Sequence, residues 1–478
     1  MTGRQILFSK KSFLFGLLAL FCVRSFCFSK YSTTELFYSY LKNDPDLKNY
    51  MLELEKAKLE YDGTAIEKGV DLTLSTGTVT LKTADGGTKL EAKPSLSVSI
   101  PAASGLTLSA SGTETVTENS SSTKDLSLAV GISLISEETA QRKLALEKAR
   151  RSVLEAVRNL KNEGINSENE FYSYLKDILE ESRELVELQL TLYDDTIDFE
   201  KKKAQGYAET SSTYRLAQLK VVSDEHDIET ARRELLRDYM IFYKECGLEC
   251  DFTVETDFLS LVPEDIQTVT ALDIESFSPD SYDETEEAIW NHKINKMERA
   301  ASKTFTLGLS GGYTFDNSNT GSDTADAGLS STIGGLSLYG GVSLPVDGSA
   351  NPSYTASATL KPNTFRKNKI TKKKNSVSEE IELLAIETSR KNLGTTILAS
   401  KQTLSDIQWE KESNRQNYEM YEKLEKELAV WYVQGLITES EYLSAKTNAQ
   451  KYKLSLVIND IEMIIYNDDV SVMFTEQL

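Results

Sequence analysis

The sequence predicts a protein of mixed α and β class, in which a transmembrane β-barrel segment is joined to long antiparallel helical hairpins and the whole arrangement is internally duplicated. Three observations predict it. Charge-poor stretches alternate apolar with small polar residues at period two, and long charged stretches carry apolar residues at helical spacing. The same landmarks also return after about 230 residues.

In chain order, residues 1–29 read as an export leader: basic Arg4, Lys10 and Lys11, an apolar core from Phe13 to Val23, then the run CFS before Lys30. The apolar core is too short to span a bilayer as a helix. The pattern favours cleavage near Ser29, beside an uncleaved anchor or an atypical lipid anchor. Phe21 before Cys22 and Phe26 before Cys27 both lack the small residue expected in front of a lipid-modified Cys. No later stretch approaches about 18 uninterrupted apolar residues. A chain that crosses a membrane after export therefore does so as a barrel.

The first repeat is expected over 30–250, as a helix, strands over 69–136 and a helical hairpin over 137–248. Its strand texture is plain in Leu96, Val98, Ile100; Leu106, Leu108, Ala110; and Leu126, Leu128, Val130, Ile132, Leu134. An acidic linker with Pro263 and Pro279 follows over 251–282. The second repeat occupies 283–478, with a helix, strands over 303–362 and a hairpin over 372–468. Here Phe305, Leu307, Leu309, Tyr313 and Phe315 alternate with Thr, Gly and Ser.

An apolar face alternating with a small polar face suits a transmembrane barrel. Alternation alone does not say whether lipid or protein covers the apolar side, so it is equally met by a soluble sandwich sheet. Turn signals at 85–87, 101–105 and 118–123, and again at 316–323, 334–335 and 345–351, divide each strand region into four. Four strands per half is the favoured count, over two long strands with ends projecting outside the cell.

The landmarks pair off as Gly69 with Lys303, Gly164 with Gly394 and Gly206 with Gly435. A helix over 137–203 would reach about 100 Å. It needs a partner, and the chain supplies one by turning at Gly206 and running back; Gly435 does the same in the second half. Glycine suits such a reversal because a tight turn often needs a left-handed backbone. Thr210 and Thr438 are positioned to cap the returning helices.

Several function classes are disfavoured. The formal charge is −21, and all four basic residues of the leader, Arg4, Lys10, Lys11 and Arg24, are lost with it, which argues against a nucleic-acid partner. With two His, no paired metal ligands, no Gly-rich phosphate loop and no recognisable nucleophile, neither catalysis, a metal nor a cofactor is expected. Two of the four Cys lie in the leader. The remaining pair, Cys246 and Cys250 in CGLEC, is compatible with a local disulfide or with two partly buried thiols.

With these features in place, the chain resembles the TolC-like outer-membrane efflux proteins over nearly all its mature length. The resemblance rests on the duplication, on NDPDL at 43–47, similar to that family's Asn-Pro-Glu-Leu region, and on a tip pattern met by Gly435, Thr438, Glu441, Leu443 and Ala445. The first tip departs, with Glu209 and Ser212 where Thr438 and Glu441 stand in the second.

The resemblance implies a homotrimer whose strands close one barrel in outer-membrane lipid and whose helices continue as a periplasmic α-barrel. It implies tips that meet a periplasmic adaptor protein joined to an inner-membrane transporter, with Gly206, Tyr207, Gly435, Leu436 and Thr438 as docking positions. It also implies an acidic periplasmic aperture at Glu441, with Ser444 where a second acid is expected; an ordinary solvated Glu is the bland alternative. The function so implied is a passive outer-membrane channel of a tripartite efflux or type I secretion system. The rival is a surface-exposed structural or adhesive protein on a helical stalk.

Overall fold

The structure, a computed structural model, describes residues 31–75, 77, 79–84, 87–100, 106–117, 123–135, 137–263, 265–302, 305–316, 322–346 and 351–475. The leader, Lys303, the 101–105 turn and most residues of four other expected turns lie outside these. The chain divides into two compact units. One comprises residues up to Asn43 with Asp177–Gln267 and Tyr421–Val457; the other comprises Asp44–Lys176, Thr268–Met420 and the remainder from Ile458.

The chain opens with helices α1 (Thr33–Asn43) and α2 (Pro45–Glu67). The break between them lies in the NDPDL motif. Asp44 caps α2, accepting from the Asp46 N–H at 2.8 Å and the Leu47 N–H at 3.2 Å, and Pro45 occupies the first helical position, where its missing N–H costs nothing.

Strands β1 (Asp71–Ser75), β2 (Val79–Ala84), β3 (Gly87–Ala92), β4 (Ser95–Ile100), β5 (Leu106–Thr117) and β6 (Thr123–Ile135) follow, then helices α3 (Glu137–Ala204) and α4 (Ser212–Glu245). After α5 (Asp283–Ala301), the order repeats: β7 (Phe305–Asp316), β8 (Thr324–Ile333), β9 (Leu336–Pro345), β10 (Ser353–Leu360), α6 (Pro362–Val433) and α7 (Glu439–Val472). The last hairpin begins ten residues before the expected 372. Pro362 starts α6, and the basic run TKKK continues it without apolar periodicity.

All strands form one antiparallel sheet in the order β1-β4-β5-β6-β7-β8-β9-β10, with β2 and β3 attached beside β5. The second half has the four strands expected, and Gly334 (φ 61°) with Gly335 makes the tight turn between β8 and β9. The first half has six strands on four rungs, the first four of them short. β4 pairs with the first part of β5 and β3 with its last part, so β3 and β4 are one rung broken at Lys93 and Pro94; β1 and β2 break likewise. Proline has no N–H to give a ladder. The Gly112 N–H donates instead to the Pro94 carbonyl at 3.0 Å, and the rung stays in line.

Register carries the sequence alternation across the whole sheet. Leu72, Val98, Leu108, Val130, Gly311, Ala327, Val342 and Tyr354 are successive partners on one face. One residue along, Thr73, Ser97, Ser109, Ala129, Gly312, Asp326, Ser343 and Ser353 are partners on the other. A slip of one position in any pair would exchange the faces. The apolar face is exposed: Leu74 is 79% and Tyr354 80% accessible.

The acidic segment 251–282 packs along both units. In the first unit, Phe252 and Phe258 lie against Tyr239 at 6.0 and 5.4 Å between ring centroids. In the second, Ile274 and Tyr282 join Leu393, Met463, Tyr466, Val470 and Phe474 in an apolar cluster, and Phe277 stacks on Phe474 at 4.5 Å. α5 is held by ion pairs. Arg151 of α3 grips Glu286 and Glu155 with its guanidinium 5.0 Å from the Trp290 ring, and Arg299 binds Glu382 at 2.7 Å beside His292.

The hairpin tips as candidate functional site

Both tips lie in the first unit. At the first, α3 ends on Lys201, Lys202 and Lys203, which suit the negative end of a helix dipole. Gly206 takes φ +75°. Its N–H donates to the Lys203 carbonyl at 3.1 Å, and the Tyr207 N–H donates to that of Lys202 at 3.4 Å. This nested pair satisfies carbonyls that the helix end leaves open. The chain then makes a further turn, Ser211 N–H to Ala208 carbonyl at 2.8 Å, and Ser211 caps α4 by accepting from the Tyr214 N–H at 3.3 Å. The cap is therefore Ser211 and not Thr210, because this loop has an extra turn.

The second tip is tighter. Gly435 takes φ +70°, its N–H donates to the Tyr432 carbonyl at 2.9 Å, and the Leu436 N–H donates to that of Trp431 at 2.9 Å. Thr438 caps α7 as expected. Its Oγ1 accepts from the Glu441 N–H at 3.3 Å, and Glu441 Oε2 accepts from the Thr438 N–H at 3.0 Å and from its hydroxyl at 3.1 Å. This is a reciprocal capping box. Tyr432 and Tyr442 stack across the turn at 5.4 Å, while Phe199 and Tyr214 meet edge-on at 5.1 Å across the first.

Counted from their caps, the two returning helices correspond better than the glycine spacing suggested. Leu216 and Leu443 each stand five residues after the cap, but Tyr214 occupies the place of Glu441. Gly206, Tyr207, Gly435, Leu436 and Thr438 are all exposed, Leu436 to 69%. Val433 (86%) and Trp431 (46%) extend the apolar surface of the second tip and were not singled out from sequence. A charged helix with a few apolar residues on its outer turn gives no periodic signal for them.

Glu441 and Ser444 are half-buried. Ser444 Oγ donates to Asp194 Oδ1 of α3 at 3.3 Å, so the carboxylate beside Ser444 comes from the other hairpin. Further along the same seam Lys451 binds Glu187 at 3.0 Å. Within the first hairpin, burial and then a hydrogen bond to Asp238 push the Glu181 carboxyl up to about 7. Burial also raises the Cys246 thiol to about 12; Cys246 is buried and both it and Cys250 are free thiols. In the second unit Asp44, Asp46 and Glu163 gather their carboxylates within 4.8 Å, and burial followed by the two Asp raises Glu163. The tips thus offer exposed backbone turns, apolar side chains and fixed charge, a surface suited to binding.

The model of the TP096X N-terminal domain matches residues 36–266, and that of the TP096X C-terminal domain matches 267–477. The chain carries both TP096X domains. Their junction falls where the packed acidic segment passes from one compact unit to the other. No curated protein matches the sequence. Among solved structures, the TP096X chain is similar to a membrane protein from Pseudomonas aeruginosa, at 14% identity and TM-score 0.47, covering 92% of this chain and 89% of that one. It is also similar to the open state of the Neisseria gonorrhoeae MtrE outer membrane channel, at 12% identity and TM-score 0.47, covering 92% and 88%. The outer-membrane channel OprN gives 14% identity and TM-score 0.46, covering 92% and 88%.

Proposed function

We propose that this protein is a TolC-like outer-membrane duct, a passive conduit through which an inner-membrane transporter and a periplasmic adaptor pass small molecules or proteins out of the cell. The observation that carries this reading is the sheet. One face is largely apolar and exposed, the other is mostly Ser, Thr, Gly and Ala with Asp326 among them, as suits a wall between lipid and water. Among the described residues no helix is long and apolar enough to cross a membrane, which leaves the sheet as the spanning element for these residues.

The protein acts as a homotrimer, the two halves being copies of one duplicated unit. The tips, through Gly206, Tyr207, Gly435, Leu436 and Thr438, dock the adaptor, and Glu441 and Ser444 mark the periplasmic aperture, to which Asp194 adds a carboxylate. Loss of the gene is expected to sensitise cells to drugs or detergents, and a photocrosslinker at Leu436 is expected to capture an adaptor. Unchanged sensitivity with no captured adaptor would favour a surface structural protein. For the aperture, Cd²⁺ is expected to block conductance through Glu441→Cys channels; no block at any pH would remove that role.

A further inference from the structure

The first turns of α6 carry Arg366, Lys367, Lys369, Lys372, Lys373 and Lys374, and no acid occurs between Lys361 and Glu379, in a chain whose formal charge is −21. On α3 and α5, which also adjoin strands, cations are taken up by carboxylates: Lys148 holds Glu298, Lys293 holds Glu147 and Arg299 holds Glu382. Among the described residues none pairs with any of the six cations of α6.

The contacts of the helix say which way these charges point. The Lys361 N–H donates to the Gly335 carbonyl at 2.7 Å, so α6 starts against the turn between β8 and β9. A methyl added at Gly335 would meet Thr364 at 3.0 Å, and one at Gly334 would meet Asn368 at 3.4 Å. Thr364, Asn368 and Asn375, the half-buried residues of this stretch, therefore mark the side turned inward. At about 100° per residue Arg366 and Lys373 lie opposite to it, and the other four cations flank them. All six are exposed.

Their depth suits a membrane surface. Arg366 to Lys369 lie about 6–11 Å along the helix from Pro362, and a headgroup layer is about 5–8 Å thick. Lys372 to Lys374 lie about 15–18 Å along, within reach of that layer once a long side chain and a Debye length of about 8 Å are added. Phe365, 46% exposed, sits at the level where aromatic side chains meet headgroups.

We infer that this face of α6 binds anionic phospholipid headgroups of the leaflet facing the periplasm, with Arg366, Lys367 and Lys369 on the phosphates and Lys372, Lys373 and Lys374 adding attraction from just below. Clustered cations next to a membrane-spanning segment select anionic lipid in this way. A membrane is the occupant because the run begins one turn beyond the last strand, whereas α6 reaches the tip proposed for the adaptor only at the far end of its 72 residues. The inference rests on the outer-membrane reading and adds which lipid the chain selects and where.

The test inserts the full chain into phosphatidylethanolamine vesicles holding equal parts of phosphatidylglycerol and phosphatidylcholine, extracts it in mild detergent and measures the lipid that stays bound. Phosphatidylglycerol is expected to exceed phosphatidylcholine about threefold or more, and the excess should vanish at about 1 M salt, where the Debye length is about 3 Å. Changing all six cations to Gln is expected to abolish the preference with insertion unchanged. Lys372→Gln, Lys373→Gln and Lys374→Gln alone should lower it in part, which serves if the full set blocks insertion. Lys201→Gln with Lys203→Gln, at the first tip, should leave it intact. Equal retention of the two lipids would overturn the inference and point to an acidic protein surface on this face. A preference that survives the substitutions would overturn it as well. A chain that enters neither these vesicles nor purely neutral ones would sink the outer-membrane reading and this inference with it, whereas insertion without preference sinks the headgroup site alone.

Discussion

The Glu441 carboxylate folds back onto Thr438, accepting from its N–H at 3.0 Å and its hydroxyl at 3.1 Å. A side chain expected to face an aperture is thus engaged at the start of its own helix. Thr438→Ala is expected to cost about 1 kcal/mol of hairpin stability. Glu441→Gln keeps the reciprocal bond and should cost less, while removing the charge that a Cd²⁺ or cation-selectivity assay reads. Equal losses of stability in the two variants, measured by thermal melts, would contradict the capping role.

Glycines in this chain divide by backbone angle. Gly206 and Gly435 have φ +75° and +70°, and a methyl added at either would find nothing within 4 Å, so Ala there costs only conformational strain, about 1–2 kcal/mol each. Gly164 and Gly394 lie inside helices with equally open surroundings. Ala at those two is expected to stabilise by about 0.5–1 kcal/mol. Denaturant midpoints of the four single variants should separate into two pairs of opposite sign.

Arg151 is nearly inaccessible and holds Glu286, which Arg158 also binds. Burial alone would raise Glu286, but the two guanidinium groups bring it down to about 2. Arg151→Ala leaves that carboxylate to Arg158 alone and is expected to destabilise the second unit by roughly 1–3 kcal/mol. Arg151→Lys, which cannot grip two oxygens in a fork, should recover only part of the loss.

Acidity should stabilise the first hairpin. Glu181 is raised from 4.5 to about 7, by burial and then by Asp238, and burial followed by Glu168 and Asp469 raises Asp468 in the second unit to about 7. An acid whose folded pKa is raised binds its proton more tightly when folded. Its contribution is full below its unfolded pKa and is lost as pH rises through about 7. Glu286 and Glu382, both lowered to about 2, act with the opposite sign only at more acidic pH, below the usual carboxylate range. The melting temperature is therefore expected to rise between about pH 8 and pH 5. Glu181→Gln with Asp468→Asn should flatten the profile.

Much of the sheet was legible because a half-buried strand writes its faces into alternate residues, and Leu96 to Ile100 or Leu126 to Leu134 do so without interruption. The rung break at Pro94 was not, since apolar alternation resumes on both sides of it. The start of α6 was missed for the opposite reason: a basic run has no apolar period to read. At the tips, Gly435 and Thr438 were plain, but Ser211 was hidden by a longer loop that displaced the cap from its glycine-counted place. The packing of Phe252, Phe258, Ile274 and Phe277 followed no period at all, and an acidic stretch with two prolines read only as a connector.

The unequal loops bear on stoichiometry. Each chain presents one tip with a Thr–Glu box and stacked tyrosines and one with an extra turn and a Ser cap. A partner that recognises either shape alone finds as many sites as there are chains. Filling every tip would require either two kinds of contact on one partner or two different partners.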